Sequence, residues 1–394
     1  MERVPSAPRP DWQATIEGQG LVYWKTELPD GTTTSYWHEE HHYVLSSEEV
    51  YEMEATARVL MELLVEAGDH ILAKGMFHRF GIPGWVGMRI RQTWESEPPM
   101  LYGRFDFALV DGQLKLLEYN ADTPTCLLET AVQWHWLQDV YGDGGDQWNR
   151  VHEALVERWT ELRESHLLPD GHVHFLHTSA ERSGEDWLTI GYLTETARAA
   201  GLKATALPIE QLGMIDDVGF VDLAGEPVRT AFKLYPWEWL VHEPLAHEAL
   251  GRMGTEKSET QWIEPIWKML WSNKAILAVL WELYPDHPNL LPTYFDDEAP
   301  ADMTSYVRKP LLAREGANAE VVLDGKVVER GPDQEYGKEG FVVQAYADLG
   351  SYGGARPVLG VWTVDMEPAG LGIRESDGYI TNNSSRFVPH VIAG

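Results

Sequence analysis

One β-hairpin constrains the fold more than any other segment, because polar side chains interrupt two apolar strands. Residues 101–110 and 113–120 are rich in Phe, Leu and Tyr, and Asp111-Gly112 between them is typical of a hairpin turn. The interrupting residues are Arg104, Asp106, Glu118 and Asn120. If the hairpin buries its apolar face, these residues must form a polar site or a solvated surface on the other face.

The length of the loop decides which of these side chains meet, because successive side chains of a strand point to opposite faces. A two-residue loop at Asp111-Gly112 would put Asp106 on the face opposite to Glu118 and Asn120. A three-residue loop, Val110-Asp-Gly112 with Gly112 in a left-handed bulge, would bring all the polar residues to one face. We therefore predict a loop of odd length or a bulge, with the following residues on the other face: Phe105, Phe107, Leu117 and Tyr119.

The polar face of the hairpin has two interpretations. Two carboxylates and a carboxamide oxygen form the oxygen-rich site that Mg²⁺ prefers, and an arginine beside them suits a phosphate that shares the metal. The alternative is a cluster of salt bridges on a solvated face. The hairpin residues alone leave both interpretations open.

Outside the hairpin, the hydrophobic period indicates a mixed α/β fold with a β-rich C-terminal third. Helices are predicted at Val50 to Lys74 after a capping box at Ser46–Glu49, Thr125 to Val140, Trp148 to Ser165, Trp187 to Ala200 and Ile263 to Tyr284. Strands are predicted at His172–His177, Lys203–Leu207, Val228–Trp239, Tyr306–Leu312, Glu320–Arg330, Phe341–Tyr346, Val358–Val364 and Leu371–Glu375. The strand–helix–strand order after residue 172 is typical of a parallel sheet.

Two lysines are candidates for binding phosphate. Lys309 lies on a predicted strand that runs into a short glycine-containing loop, an arrangement that combines a positive charge with backbone N–H groups. Lys274 begins a helical run and could reach the same phosphates. The alternative for both is an exposed, solvated lysine.

Weaker candidates lie near the C-terminus. Gln344 interrupts an apolar strand and could lie beside a nucleotide base, although a buried strand is the simpler interpretation. Arg374 follows two glycines, so it is either a surface arginine or a phosphate contact. We interpret His38, His41 and His42 as a surface cluster, since no Cys or second motif completes a metal site.

Composition excludes several functions. The formal charge of −31 argues against binding nucleic acid, because the phosphate backbone would be repelled. A single cysteine, Cys126, excludes an internal disulfide and fits a reducing compartment. We find neither a signal peptide nor an apolar run long enough to span a membrane, so a cytoplasmic protein is expected.

In their order, these motifs resemble the synthetase domain of glutathionylspermidine synthases. The resemblance spans roughly residues 20 to 390 and rests on Arg104-x-Asp106-Phe107, Glu118-Tyr-Asn-Ala-Asp122, Ser272-Asn-Lys274, Lys309-Pro310, Gln344 and Arg374. Residues 289–295 and 384–390 further resemble a bacterial subgroup of stand-alone synthetase-like proteins without the amidase domain, for which this chain has no room.

The resemblance implies a permuted ATP-grasp fold with a pre-ATP-grasp α/β subdomain, and an ATP- and Mg²⁺-dependent ligation of a carboxylate to an amine through an acyl phosphate. The matching positions are Asp106, Glu118 and Asn120 for the metal, Lys274, Lys309 and Gln344 for ATP, and Arg104 and Arg374 for the reacting centre. We expect three segments: 1–125 with the metal-site hairpin, 126–255 as the α/β subdomain, and 256–394 as the β-rich nucleotide-binding part.

The substrates are less constrained. The acid is expected to be small or peptide-like and the other substrate an amine or polyamine, whose ammonium groups could lie against Glu181, Glu185 and Asp186; a solvated acidic loop is the alternative. Cys126 falls where the family shapes a thiol-peptide site, and residues 314–318 are the candidate lid. The competing functions are an ATP-binding regulatory homologue without turnover and, from the tryptophan content alone, a glycan-binding module. No oligomeric state is predicted.

Overall fold

The structure is a computed structural model that describes residues 1–27, 31–181, 183–215, 218–244, 246, 250 and 260–393. Its α-helices are α1 Trp12–Gly18, α2 Ser47–Lys74, α3 Gly84–Ser96, α4 Leu127–Tyr141, α5 Val151–Glu164, α6 Glu185–Ala199, α7 Trp237–Leu240, α8 Lys268–Ser272 and α9 Ala275–Leu283. Short 3₁₀ helices lie at Met76–Phe80, Gly142–Gly144, Ile209–Gln211 and Asp296–Glu298.

The strands are β1 Glu2–Pro5, β2 Lys25–Glu27, β3 Thr33–Ser35, β4 His41–Leu45, β5 Tyr102–Val110, β6 Gln113–Asn120, β7 His172–His177, β8 Lys203–Pro208, β9 Gly213–Ile215, β10 Gly219–Val221, β11 Thr230–Lys233, β12 Gln261–Ile263, β13 Thr293–Phe295, β14 Tyr306–Pro310, β15 Glu320–Leu323, β16 Lys326–Arg330, β17 Phe341–Ala345, β18 Arg356–Val364, β19 Glu367–Ser376, β20 Arg386–Val388 and β21 His390–Ile392. The predicted mixed α/β class is confirmed.

Three sheets position the candidate site. The central sheet is antiparallel, in the order β20-β19-β18-β5-β6. The parallel sheet has the order β12-β11-β7-β8, and the C-terminal sheet is antiparallel in the order β13-β17-β14-β15-β16. In the smaller sheets, β4 pairs with β1 and β21, β2 pairs with β3, and β9 pairs with β10.

The central sheet joins distant parts of the chain, because β5 of the hairpin pairs along its length with β18. Residues 102–120 and 356–388 therefore share one sheet although they belong to different predicted segments. The division into three segments stays a prediction, and its boundary at 255/256 lies outside the described residues.

Helix α2 begins as its sequence predicts. Ser46 accepts a hydrogen bond from the backbone N–H of Glu49, whose side chain in turn accepts from the backbone N–H of Ser46. The helix ends at Gly75, which adopts the left-handed conformation with φ 66°. None of the described helices is long and apolar enough to span a membrane.

Two predicted elements are wrong in their extent. The strand predicted over 228–239 is only four residues long, because Pro236 precedes a short helix, α7. The helix predicted over 263–284 begins as strand β12 and then divides into α8 and α9, with an extended backbone at Asn273 between them. Sequence patterning also missed α3, whose buried residues are few and include a glycine and a threonine.

Many of the tryptophans fill the interior of the protein. Six of them are among the largest fully buried side chains: Trp37, Trp136, Trp159, Trp237, Trp271 and Trp362. One hydrophobic core lies between α2, α9 and the apolar face of the hairpin, and a second packs α4, α5 and α6 against the parallel sheet. The core-packing interpretation of the tryptophans is therefore supported at these positions.

Candidate active site

The hairpin turn differs from the predicted three-residue loop. Val110 pairs directly with Gln113, and the two residues between them, Asp111 and Gly112, have φ values of 49° and 80°. These left-handed values are those of a two-residue type I′ turn, which suits the twist of the flanking strands. The predicted loop is therefore wrong.

The change of face occurs instead at a bulge inside the strand. Asp106 pairs with Glu118, whereas Phe107 pairs with Leu116, so that Leu117 has no opposite partner. Beyond the bulge the register restores the predicted polar face. Leu117, which we expected on the apolar face, lines the polar cavity described below.

Asp106 accepts hydrogen bonds from two guanidinium groups. Arg104 donates from Nε to Oδ1 at 2.6 Å and from Nη2 to Oδ2 at 2.9 Å, and Arg374 donates to Oδ2 at 3.1 Å. Arg104 and Asp106 are both almost completely buried. Burial alone would lower the pKa of Arg104, but the charge of Asp106 and the hydrogen bonds to it raise that pKa overall.

Glu118 lies opposite and is held by different groups. Lys274 Nζ lies 3.1 Å from Oε2, and Asn120 Nδ2 donates to Oε1 at 3.2 Å. Burial raises the pKa of Glu118, but the positive charges of Lys274 and Lys309 outweigh burial and hold it well below its usual range. Glu118 is therefore ionised at neutral pH.

Lys309 and Gln344 form one hydrogen-bonded unit. Lys309 Nζ donates to Gln344 Oε1 at 2.7 Å and to the backbone oxygen of Leu117 at 3.1 Å, and Gln344 Nε2 donates to the backbone oxygen of Leu116 at 3.1 Å. Burial, countered in part by Glu118, lowers the pKa of Lys309 to about 8. The carboxamide of Gln344 is thus occupied in holding Lys309 on the bulge.

All eight predicted site residues line one cavity of about 180 Å³, which we call the first cavity: Arg104, Asp106, Glu118, Asn120, Lys274, Lys309, Gln344 and Arg374. Its other walls are largely apolar and include Leu117, Val307, Tyr346, Val358 and Ile380. Counting every charged lining residue, five cations face three carboxylates. An excess of positive charge in a chain of formal charge −31 marks the first cavity as an anion site.

A second cavity of about 730 Å³ adjoins the first and has the opposite charge. Three cations and five carboxylates line it, and the carboxylates include the predicted acidic residues Glu181, Glu185 and Asp186. Burial and the nearby charges of Glu129 and Asp186 raise the pKa of Glu185 to about 8. Burial and Glu181 raise the pKa of Asp186 to about 6. The second cavity is therefore suited to a cation.

The wall between the cavities contains Arg314, which the sequence indicated only as part of a lid. Arg314 donates to the backbone oxygen and to Oγ1 of Thr123 at 2.9 and 2.8 Å, and it lines both cavities together with Glu315 and Arg374. Within the predicted lid, Glu315 and Gly316 have φ values of 54° and 68°. Neither Thr123 nor its contact with Arg314 has a local sequence signal, since 191 positions separate the two residues.

Two other groups behave as ordinary structural residues. Cys126 is buried, lies 3.3 Å from Tyr36 Oη and has a pKa raised to about 11, first by burial and then by Glu129, so it is an unreactive thiol. His38 and His41 stack and share a hydrogen bond of 3.2 Å. Within the described ranges no three His, Cys, Asp or Glu residues form a metal-binding group.

Several known proteins are similar to this chain over most of its length. A family model described as glutathionylspermidine synthase preATP-grasp matches residues 3–393. A putative acid–amine ligase of Haemophilus influenzae is 37% identical over 99% of both chains. A trypanothione synthetase of Crithidia fasciculata is 28% identical over 94% of this chain and 58% of its own length. The bifunctional glutathionylspermidine synthetase/amidase of Escherichia coli is 24% identical, and this chain spans 59% of it.

The fold is also similar to that of a solved structure. A glutathione synthetase-like effector from Globodera pallida superimposes over 99% of both chains with a TM-score of 0.56 at 11% sequence identity. The likeness extends over the whole chain, so it covers the central sheet, the parallel sheet and the C-terminal sheet together. Together with the family match, it confirms the predicted ATP-grasp type of fold.

The segment between the cavities, residues 121–126, is fixed by a buried ion pair. Asp122 accepts from Lys233 Nζ at 2.6 Å and from the backbone N–H of Trp237 at 2.8 Å, and the side chains of Asp122 and Lys233 are almost inaccessible to solvent. The backbone N–H of Asp122 donates to Ser272 Oγ at 2.8 Å. These contacts tie the end of strand β6 to the parallel sheet and to α8.

We predict that Lys233→Ala lowers the free energy of unfolding by about 3–5 kcal/mol, because Asp122 is left as an unpaired buried carboxylate. The control is Lys203→Ala on strand β8 of the same sheet, where the lysine is exposed and the change should stay within about 0.5 kcal/mol. Equilibrium urea unfolding measures both. Equal effects of the two substitutions would contradict the anchoring role of the pair.

Proposed function

We propose a reaction from one premise: the chain belongs to the glutathionylspermidine synthase family, a family of ATP-dependent C–N ligases. The proposed reaction joins the carboxylate of a peptide-like acid to an amine or polyamine, with ATP as the source of energy. The observation that carries the proposal is the contact between two cavities of opposite charge, one rich in cations and one rich in carboxylates. Such an arrangement suits a polyphosphate on one side and a cationic amine on the other, with the activated acid between them at the shared wall.

Mg²⁺ fits the hairpin face of the first cavity. Asp106 and Glu118 are opposed on paired strands, and Asn120 lies within hydrogen-bond reach of Glu118. These carboxylate and amide oxygens are the donors that Mg²⁺ takes, once Asn120 turns its amide to present oxygen. When bound with ATP, Mg²⁺ would neutralise negative charge on the phosphate oxygens.

The cations of the first cavity hold and polarise the phosphates. Lys274 and Lys309 lie against Glu118 and are positioned to contact the polyphosphate, while the apolar walls accommodate the base. Arg104 and Arg374 converge on Asp106 at the other end of the hairpin face. There they stabilise the transferring phosphoryl group and then the oxyanion that forms when the amine attacks the acyl phosphate.

The acidic residues of the second cavity receive the amine. Glu185 and Asp186 have no hydrogen bond or ion pair assigned to their carboxylates among the described residues, and an ammonium group would satisfy both. A bound cation also lowers the raised pKa of each carboxylate, so that the amine binds to ionised partners. The number of carboxylates that line the second cavity favours a polyamine over a simple monoamine.

Arg314 and its loop keep water from the reacting centre. Because Arg314 bridges to Thr123 at the boundary of both cavities, the loop closes the route by which solvent would reach an acyl phosphate. Exclusion of water matters because an acyl phosphate that meets water is hydrolysed unproductively.

The proposed function is tested by measuring phosphate release with Mg-ATP, glutathione and spermidine as the first pair of probes, followed by other acids and amines. Mass spectrometry should detect a product of the combined mass of acid and amine minus water. Nucleotide binding without a product from any pair would instead favour the regulatory, ATP-binding homologue.

We predict that Glu118→Gln lowers ligase turnover by about 100-fold, because a neutral amide replaces a charged metal ligand. Asp111→Asn is the matched control: it makes the same chemical change on the same hairpin, at a turn position with φ 49° that asparagine tolerates. Steady-state rates over a series of Mg²⁺ concentrations provide the measurement. Unchanged turnover and Mg²⁺ dependence in Glu118→Gln would refute the metal assignment.

We predict that Lys309→Ala weakens ATP binding by about 10- to 100-fold, since it removes a charged hydrogen-bond donor from the polyphosphate. Lys326→Ala, at an exposed position of the same C-terminal sheet, should leave the dissociation constant unchanged. Isothermal titration calorimetry with Mg-ATP measures both. An unaltered dissociation constant in Lys309→Ala would exclude the phosphate contact.

A further inference from the structure

A group of ionisable side chains lies behind the wall of the second cavity and has no part in the mechanism above. Glu129, in the first turn of α4, is completely buried, and its Oε1 accepts a hydrogen bond of 2.5 Å from Tyr36 Oη. Tyr23 and Cys126 complete the group. In addition to burial, Glu129 raises the pKa of Tyr23, and Cys126 raises the pKa of Tyr36. A carboxylate in such a position requires a physical reason, because burying a charge without a cationic partner is costly.

Half of the hydrogen-bonding capacity of Glu129 is unused. Its Oε2 has no hydrogen-bond partner among the described residues, and the same holds for Tyr23 Oη beside it. No salt bridge to Glu129 occurs in the described part of the chain, and Arg374 acts on Glu129 through its charge without an ion-pair contact. Burial raises the pKa of Glu129 above its usual range, although the hydrogen bond from Tyr36 opposes this rise. Glu129 is therefore a carboxylate that readily takes up a proton.

Tyr36 connects this carboxylate to the site of reaction. Tyr36 and Cys126 line the second cavity, whereas Glu129 does not. Arg374, which donates to Asp106 in the first cavity, also lines the second cavity and interacts electrostatically with Tyr36 and Cys126. The Tyr36 hydroxyl thus lies at the wall of the second cavity, beside the arginine that faces the transferred phosphoryl group.

The proposed ligation, on which this inference rests, must dispose of a proton. An alkyl amine is an ammonium ion at neutral pH, with a pKa of about 10 like that of lysine. It has no lone pair for attack until it loses a proton. The carboxylates that bind the substrate by its charge cannot serve this purpose alone, because they stabilise the ammonium form.

We propose that Tyr36 and Glu129 form the relay that removes the proton from the attacking amine. The ammonium N–H bond breaks and its proton passes to Tyr36 Oη, while the proton of the Tyr36 hydroxyl passes to Glu129 Oε1. The freed electron pair of nitrogen forms the C–N bond with the acyl carbon, and phosphate leaves with the electron pair of the C–O bond. The nitrogen of the new amide gives up its second proton to the departing phosphate, which leaves as hydrogen phosphate. Glu129 ends as a neutral carboxylic acid and returns its proton to solvent by the same path after the product leaves.

The groups that face Glu129 support this direction of transfer. They are Tyr23 and Tyr36 from the N-terminal segment, Cys126 before α4, Glu185 from α6 and Arg374 from β19. Arg374 is the cation among them and favours the ionised form of Glu129 before the reaction.

Assays with two different nucleophiles distinguish a proton relay from a purely structural role of Tyr36 and Glu129. The full-length chain is assayed with Mg-ATP and glutathione, and the acyl phosphate is captured either by spermidine, which is an ammonium ion at neutral pH, or by hydroxylamine, which is uncharged. Glu129→Gln retains an oxygen that can accept from Tyr36 but takes up no proton. It should lower formation of the spermidine amide by about 100-fold or more and leave hydroxamate formation within about twofold of wild type.

Tyr36→Phe should give the same selective loss, and it provides a second variant should Glu129→Gln fail to fold. The control is Asp139→Asn, a carboxylate-to-amide change near the other end of α4, where the side chain is half exposed and pairs with Arg9; both products should form at the wild-type rate.

Equal losses with spermidine and hydroxylamine in both variants would overturn the relay and assign the pair a structural role, as would wild-type rates with both nucleophiles. If the wild-type chain forms neither product with glutathione or with any other acid of the screen described above, the proposed function itself is overturned, and the relay falls with the reaction it serves. A selective loss of the spermidine amide is the outcome that supports the proposal.

Discussion

The carboxylate of Asp106 lies between two guanidinium groups, and the site depends on that arrangement. Arg104 reaches it along its own strand and Arg374 from β19, two strands away, across β18. Buried ions such as Asp106 and Arg104 are tolerated only when they are paired and hydrogen-bonded. Because the cations outnumber the carboxylates, the first cavity is incomplete without an anion. The excess positive charge thus favours a polyphosphate at this position in an otherwise acidic protein.

The second constraint is the segment of residues 121–126, which separates the two cavities. It directly follows strand β6, and three residues hold it by hydrogen bonds: Lys233, Trp237 and Ser272. Thr123 and Thr125 in this segment line both cavities. An activated acid formed on one side would therefore meet an amine bound on the other across only a few side chains, while the cation and anion sites stay electrostatically distinct.

Much of the site could be predicted from sequence, because its residues occur in short motifs whose order resembles one family; the local chemistry of each motif alone left alternatives open. The eight predicted residues come together at one cavity, and the alternation of polar and apolar residues in β5 correctly indicated the polar face of Arg104 and Asp106. The bulge that aligns Glu118 with Asp106 was not predictable. Leu116 and Leu117 are both leucines, so the local sequence does not indicate which of them lacks a partner on β5. The two-residue turn was recognisable from Asp-Gly. The strict alternation of side chains between the two faces argued against it, because without a bulge it would have put Asp106 and Glu118 on opposite faces.

Other features are tertiary and leave no local trace. Tyr36 and Glu129 are 93 positions apart and meet only when the N-terminal segment packs on α4. Arg314 was visible only as part of a loop, because its contact with Thr123 needs the C-terminal sheet to lie against the hairpin. The opposite charge of the two cavities is similarly a property of the folded surface. Counting charges along the chain indicates only that the protein is acidic.

The central claim is that the paired carboxylates of the hairpin hold the metal on a bound nucleotide. The most direct measurement is a crystal structure with Mn²⁺ and a non-hydrolysable ATP analogue, in which anomalous scattering locates the metal. We predict an anomalous peak between Asp106 and Glu118, with the terminal phosphate within hydrogen-bond reach of Arg104 and Lys309. A nucleotide bound with its metal elsewhere, or a first cavity that stays free of metal when the nucleotide is bound, would contradict it.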